Sequence, residues 1–205
     1  MELLKSILIG FLIAATPGPI FFEVTRRTLT KGLSSGVMLA IGEFVGNLSL
    51  LLMIYFGISS FLTNDYLRLF FYLIGALLLI YIGTSAIRLT TNDIKSSQSK
   101  ESNTNNSLFT GFFIAITSPI VIAFWISVSG SYLSKFSHEA ALLNIVLIAS
   151  GFLFFFIPFA YIINLTKNKI NEKIIVILSK TFGVALVVYG LSFLYEFINL
   201  LKNVP

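Results

Sequence analysis

Of 205 residues, 56% are hydrophobic and only 11% are charged, less than half the roughly 25% charge of a soluble domain. With 21 Phe, one His and no Cys, the composition excludes a soluble globular domain, a disordered chain and a disulfide-built domain. The missing thiols also exclude thiolate metal ligation and thiol catalysis. The net charge of +5 takes its meaning from where the charges fall.

A bilayer crossing needs roughly 20 predominantly apolar residues, and six runs approach or exceed that length. The first, residues 6–22, continues past Ala14-Ala15 to Phe22, so it reads as a span and not as a cleaved signal peptide. Inside it lies Thr16-Pro17-Gly18-Pro19, where two prolines around a glycine should break a helix outright. The second run, 36–62, is interrupted only by Glu43, and the third is 69–87. Residues 90–107 (TTNDIKSSQSKESNTNNS) are rich in Ser, Asn and Thr and lack apolar periodicity, so they read as a polar linker. The fourth run is uncharged over 102–134 and apolar from Leu108, with Thr117-Ser118-Pro119 forming a milder break. Pro119 falls roughly 16 Å from Leu108, near the bilayer midplane. The fifth and sixth runs are 140–163 and 174–201, the last containing Lys180 and Glu196. None of these runs alternates as a membrane barrel strand does.

The two halves resemble each other. Residues 10–16 read GFLIAAT and residues 111–117 read GFFIAIT, with five of seven positions identical and Pro17 or Pro119 close behind. Gly75, Leu78 and Tyr81 share their spacing with Gly183, Leu186 and Tyr189. The expected fold is therefore an all-α integral membrane protein with six transmembrane helices in a 3+3 inverted repeat, broken in spans one and four, a plan common among secondary transporters. Residues 1–89 form the first repeat, 90–107 a cytoplasmic linker and 108–205 the second repeat. Six spans place both termini on one side with Lys5, Arg68, Lys135 and Lys202, and the other ten basic residues opposite them. The positive-inside rule then puts the ten in the cytoplasm and both termini outside. The positive charge thus reports topology, and no nucleic-acid partner is expected.

The candidate site follows from backbone and charge. A helix broken at midplane exposes peptide groups that lipid cannot satisfy. A helix restarting after Pro19 offers free N–H groups and partial positive charge to a carboxylate. Glu43 lies roughly 10 Å inside the second span, where an acid is costly and faces a cavity or a partner. It can hold a substrate ammonium, carry a coupling proton or pair structurally with Lys180, which lies at similar depth. Asn47 shares its helix face one turn on. Thr16, Pro17, Gly18, Pro19, Glu43, Asn47, Thr117, Ser118 and Pro119 are thus the expected substrate-binding set, with Glu43 the proton-coupling residue. Glu23 reads as an interfacial partner of Arg27, Glu196 as a snorkelling end residue, and His138 as a solvated loop residue. Trp125 reads as a lipid-facing or packing residue. The glycine string Gly32, Gly36, Gly42 and Gly46 suits close helix contact.

These residues resemble the LysE/RhtB family of translocators. The likeness lies in GFLIAATPGPI, in RRTLTKGLSSGVMLAIGEFVGN, in IGALLLIYIGTSAIR and in ITSPIVIAFW, which together cover most of the chain. It implies a six-span, multi-pass protein of the inner (cytoplasmic) membrane that exports amino acids or similar small solutes on the proton motive force. The chain departs from the family pattern at Ser118, where Asn usually precedes the Pro. It departs again at Glu43, where many members have a small residue, and at Asn47, where related members often carry Asp. The acid has in effect moved one turn along the helix.

The expected protein is a secondary exporter working by alternating access, with no enzymatic activity, no catalytic residues, no cofactor and no metal. Its partners are a small-molecule amino acid and the lipid bilayer, and a homo-oligomer remains open. Rival readings are a metal-cation exporter, which would want several intramembrane acids, thiols or His, and a non-transporting membrane scaffold, which has no use for paired helix breaks. An intramembrane enzyme would need a pair of acids, a His cluster or a Ser–base couple.

Overall fold

The computed structural model describes residues 2–58, 65–93, 104–167 and 169–203. Its long elements are all α-helices: α1 (Glu2–Ala14), α2 (Pro19–Lys31), α3 (Leu33–Met53), α4 (Asp65–Ile87), α5 (Thr104–Thr117), α6 (Pro119–Ser131), α7 (His138–Lys167) and α8 (Glu172–Asn203). A wide helical turn, Ile54–Ile58, extends α3 as far as Gly57, whose φ of +88° ends the helical geometry. Extended α3, α4, α7 and α8 are each long and apolar enough to cross a bilayer. Two further helix pairs are bent, α1–α2 by 73° and α5–α6 by 64°. Counting each bent pair as one span gives six.

The breaks follow from local chemistry. Pro17 and Pro19 have no N–H, and Pro119 starts α6 from an extended Ser118. Pro158, by contrast, sits inside α7 without ending it. Gly32, at φ +93°, makes the tight turn from α2 to α3, a conformation that Gly adopts freely.

Glycines decide which helices touch. α5 lies along α3 and α1 lies along α7. A Cβ added to Gly10 of α1 would overlap the Ile148 carbonyl of α7. One added to Gly111 of α5 would overlap the Leu39 carbonyl of α3. From the facing helices, Gly151 meets the Ile7 carbonyl and Gly42 meets the Leu108 carbonyl in the same manner. α4 and α8 cross at Gly83 and Gly183, where an added Cβ on Gly83 would stand 2.6 Å from the Gly183 oxygen. Around these crossings lie two apolar clusters. One is centred on Trp125, Phe156, Leu39 and Ile145, and the other joins α4, α5 and α8 through Leu79, Ile114 and Leu186.

Two sequence expectations change. α5 begins at Thr104, so the end of the 90–107 segment is helical; residues 94–103 lie outside the described residues. Ser107 is buried because Arg27 reaches it, Nη1 donating to Oγ at 2.8 Å, while Nη2 donates to Thr110 Oγ1 at 2.8 Å. Glu23 pairs with Arg27 as expected, but Arg26 joins the pair and protein encloses the carboxylate, which is 0% exposed. It accepts from Arg26 Nε at 2.8 Å and Nη2 at 2.7 Å, and from Arg27 Nε at 2.6 Å. After the bend, α2 packs against α3, α5, α7 and α8, which enclose the carboxylate. His138 is exposed, yet it opens α7 hydrogen-bonded to the Tyr55 hydroxyl.

Gly111→Val forces a branched side chain into the α3 backbone and is expected to cost about 1–3 kcal/mol. Gly130→Ala, with nothing within 4 Å of the added carbon, should leave stability unchanged or raise it by up to about 1 kcal/mol through helix propensity. Thermal unfolding of the purified variants in detergent checks both.

Candidate functional site

A cavity of about 340 Å³ lies between the two bends, at the lower end of the roughly 300–1,000 Å³ range of small-ligand pockets. Thr16, Pro17, Gly18 and Pro19 line it from the first break, Ser118 and Val121 from the second, and Glu43 and Asn47 from α3. Phe124, Trp125, Phe152, Tyr189 and Phe193 supply aromatic walls.

The backbone at both breaks carries donors outside the helical hydrogen-bond ladder. The first intrahelical bond of α2 runs from Phe22 N–H to Gly18 O at 3.1 Å, and that of α6 from Ile122 N–H to Ser118 O at 3.0 Å. The N–H groups of the first helical turn therefore have no intrahelical partner. Neither Gly18 nor Ser118 caps its helix through a side chain. Two helix N-termini, each with its partial positive charge, thus begin at one cavity. The Pro17 carbonyl is met by the Tyr189 hydroxyl, which donates to it at 3.4 Å.

Contributed by α3, Glu43 is 4% exposed. Its Oε2 is buried without a hydrogen-bond partner among the described residues. Its carboxyl interacts with the Asn47 side chain. Lys180 is exposed on α8 and forms no ion pair with it. A carboxyl held this way carries an unmet demand for a proton or a cation. Among the described residues no three His, Cys, Asp or Glu side chains cluster in a way that could hold a metal ion.

Seven of the nine sequence-derived residues line the cavity. Thr117 and Pro119 do not. Thr117 is buried, its hydroxyl donating to the Phe113 carbonyl at 2.6 Å. Pro119 lines a separate cleft of about 270 Å³ beside Arg68 and Tyr72.

Trp125 was read from sequence as lipid-facing or packing, but it is 0% exposed and its Nε1–H donates to Asn47 Oδ1 at 2.8 Å. It packs in the core cluster and also fixes the amide beside Glu43. The remaining aromatic walls, Tyr189 among them, escaped the sequence because 21 Phe and 8 Tyr are spread along the chain and nothing in their spacing marks the inward-facing few.

The profile of the LysE type translocator family matches residues 11–197. A relative from Bacillus subtilis, named "Putative amino acid efflux protein YcgF", is 27% identical over 199 residues, spanning 94% of this chain and 95% of that protein. The "Chemotactic transduction protein ChpE" of Pseudomonas aeruginosa is 24% identical over 122 residues, 60% of each chain. No solved structure matches at a significant level.

Asn47→Ala leaves the Trp125 N–H buried and unpaired, which is expected to destabilise the protein by about 1–3 kcal/mol. The intrinsic fluorescence of the single Trp, followed during thermal unfolding, measures the loss.

Proposed function

The chain belongs to the LysE type translocator family, and on that premise we propose that it exports an amino acid or related small solute across the cytoplasmic membrane in exchange for protons. One observation carries this reading: two uncapped helix N-termini and a buried, partner-poor carboxyl line the same small cavity. An amino acid has charges that complement both. Its carboxylate sits at the start of α2 and α6, where backbone N–H groups replace water. Its ammonium sits at Glu43, with Asn47 holding the carboxyl in place. The full-length relative named for amino acid efflux supports the same substrate class.

Glu43 then couples the two fluxes. It accepts the substrate ammonium or a proton, and each excludes the other, because a neutral carboxyl attracts a cation only weakly. Loading from the cytoplasm displaces the proton; release outside lets another bind and reset the carrier. Thr16, Pro17, Gly18, Pro19, Glu43, Asn47 and Ser118 are the contact residues. Thr117 and Pro119 act by setting the second bend.

Movement comes from an inverted repeat of residues 1–89 and 108–205, whose halves rock about the cavity. The matched glycine contacts support this plan: Gly10 on α7 repeats as Gly111 on α3. In span three against span six, Gly83 meets Gly183 and Val187 while Gly190 meets Ala76 and Ile80. Under an inverted repeat, these contacts favour an alignment of the two spans one residue away from the Gly75–Gly183 match. The distribution of basic residues supports termini outside and the 90–107 segment in the cytoplasm.

Efflux of a panel of amino acids from loaded cells should reveal at least one exported substrate, with a rate that follows the proton gradient. Glu43→Gln should lower that efflux about tenfold or more, the value of one charge-assisted hydrogen bond, and remove its proton dependence. Unchanged efflux with unchanged proton dependence takes Glu43 out of the mechanism. In purified protein the same substrate should alter Trp125 emission.

A further inference from the structure

A second cavity, about 380 Å³, lies between the end of α2, the last turns of α4 and the start of α5. It is separate from the site between the bends and shares no lining residue with it. Arg26, Arg27 and Lys31 line it, and the Lys31 ammonium is within electrostatic range of both guanidiniums. Glu23, bonded to both arginines, supplies one negative charge against these three cations. Among the described residues, no acidic one lines the cavity itself. The cluster therefore keeps two positive charges beside a largely apolar pocket.

The lips of the cavity are of the opposite character. Tyr81, Phe109 and Phe113 line it and are 73%, 59% and 45% exposed. On a membrane helix such side chains face acyl chains, so the cleft opens sideways into lipid. It lies where α2 and α4 end and α5 begins, and thus at one membrane surface. A free anion would satisfy the cations but leave the apolar lips unused. A zwitterionic lipid would satisfy the lips and bring its own cation against Arg26 and Lys31. Only a lipid with a net negative phosphate headgroup matches both parts.

We propose that this cleft binds one anionic phospholipid, its phosphate at Arg26, Arg27 and Lys31 and an acyl chain along Tyr81, Phe109 and Phe113. Basic pockets between transmembrane helices on the cytoplasmic side take such headgroups. Because Arg27 also reaches Ser107 and Thr110, the lipid would sit on the contact between α2 and α5. The site does not depend on the exporter reading and can be tested without transport.

The test is native mass spectrometry of the full chain in detergent, with phosphatidylglycerol, phosphatidylcholine or inorganic phosphate added separately. One phosphatidylglycerol should be retained per chain under conditions that strip phosphatidylcholine. Lys31→Gln should weaken that retention about fivefold, the worth of one interfacial cation. Ser85→Glu, which places an acid in the cleft, should weaken it further. Lys135→Gln, between α6 and α7 and outside the cleft, should not change it. Equal retention of both lipids, or retention unaffected by Lys31→Gln, overturns the proposal. So does competition by millimolar phosphate that removes the lipid, which would mark a simple anion site. If Ser85→Glu does not fold, Lys31→Gln alone decides.

Discussion

Hydrocarbon offers a peptide group nothing to bond to. A helix that stops partway through a membrane therefore strands N–H and C=O groups, each at a cost of several kcal/mol, unless protein or water receives them. This chain stops twice, once at Pro17–Pro19 and once at Ser118–Pro119. Both stops face the same cavity. The surrounding packing can be understood as what makes those two interruptions tolerable: aromatic walls enclose the space, the Tyr189 hydroxyl takes the Pro17 carbonyl, and Trp125 anchors the Asn47 amide next to Glu43. The donors left over at the two helix starts form a chemical preference for an anion.

Closing helices around such a site requires backbones to approach closely, and glycine is the residue that permits it. Gly10, Gly42, Gly111 and Gly151 let the half-helices α1 and α5 sit directly against α7 and α3. Their far ends are then tied differently. At one surface α2 is held to α5 through the Glu23, Arg26 and Arg27 cluster and its bonds to Ser107 and Thr110. At the start of α1, Ser6 is hydrogen-bonded to Tyr132 and Asn144. Ser6 and Ser107 each lie four residues before the matched glycines Gly10 and Gly111. One tie is charged and buried; the other is built of hydroxyl and amide groups.

Much of the architecture was legible because the membrane leaves few solutions. Long apolar runs have to be helices, and the two Pro-containing stops announced themselves in a chain with five prolines. Proline alone would have misled, since Pro158 stays within α7 while Pro119 opens α6. Glu43 stood out as an acid with no cheap explanation, and it is buried at the cavity wall. Glu23 was read as the partner of Arg27, and it is; its burial and its second partner, Arg26, were not legible from the chain. Once the first span bends by 73°, the residues just past the break pack against four other helices. Trp125 and Tyr189 were missed for another reason: an aromatic residue looks the same in sequence whether it meets lipid or a cavity. Its hydrogen-bond partner tells the two apart, and that partner comes from a different helix.

A substrate site between the bends has to be reachable from water. The chain contains no Cys, so a single introduced thiol reports its own surroundings. Thr16→Cys at the first bend and Val184→Cys on the exposed face of α8 can be treated in membranes with a charged, water-borne thiol reagent. The thiol at position 16 is expected to react, the exported amino acid to slow that reaction, and the thiol at 184 to stay unmodified. A thiol at 16 that is inert in every condition, or that reacts at a rate the exported amino acid does not change, would contradict a substrate site there.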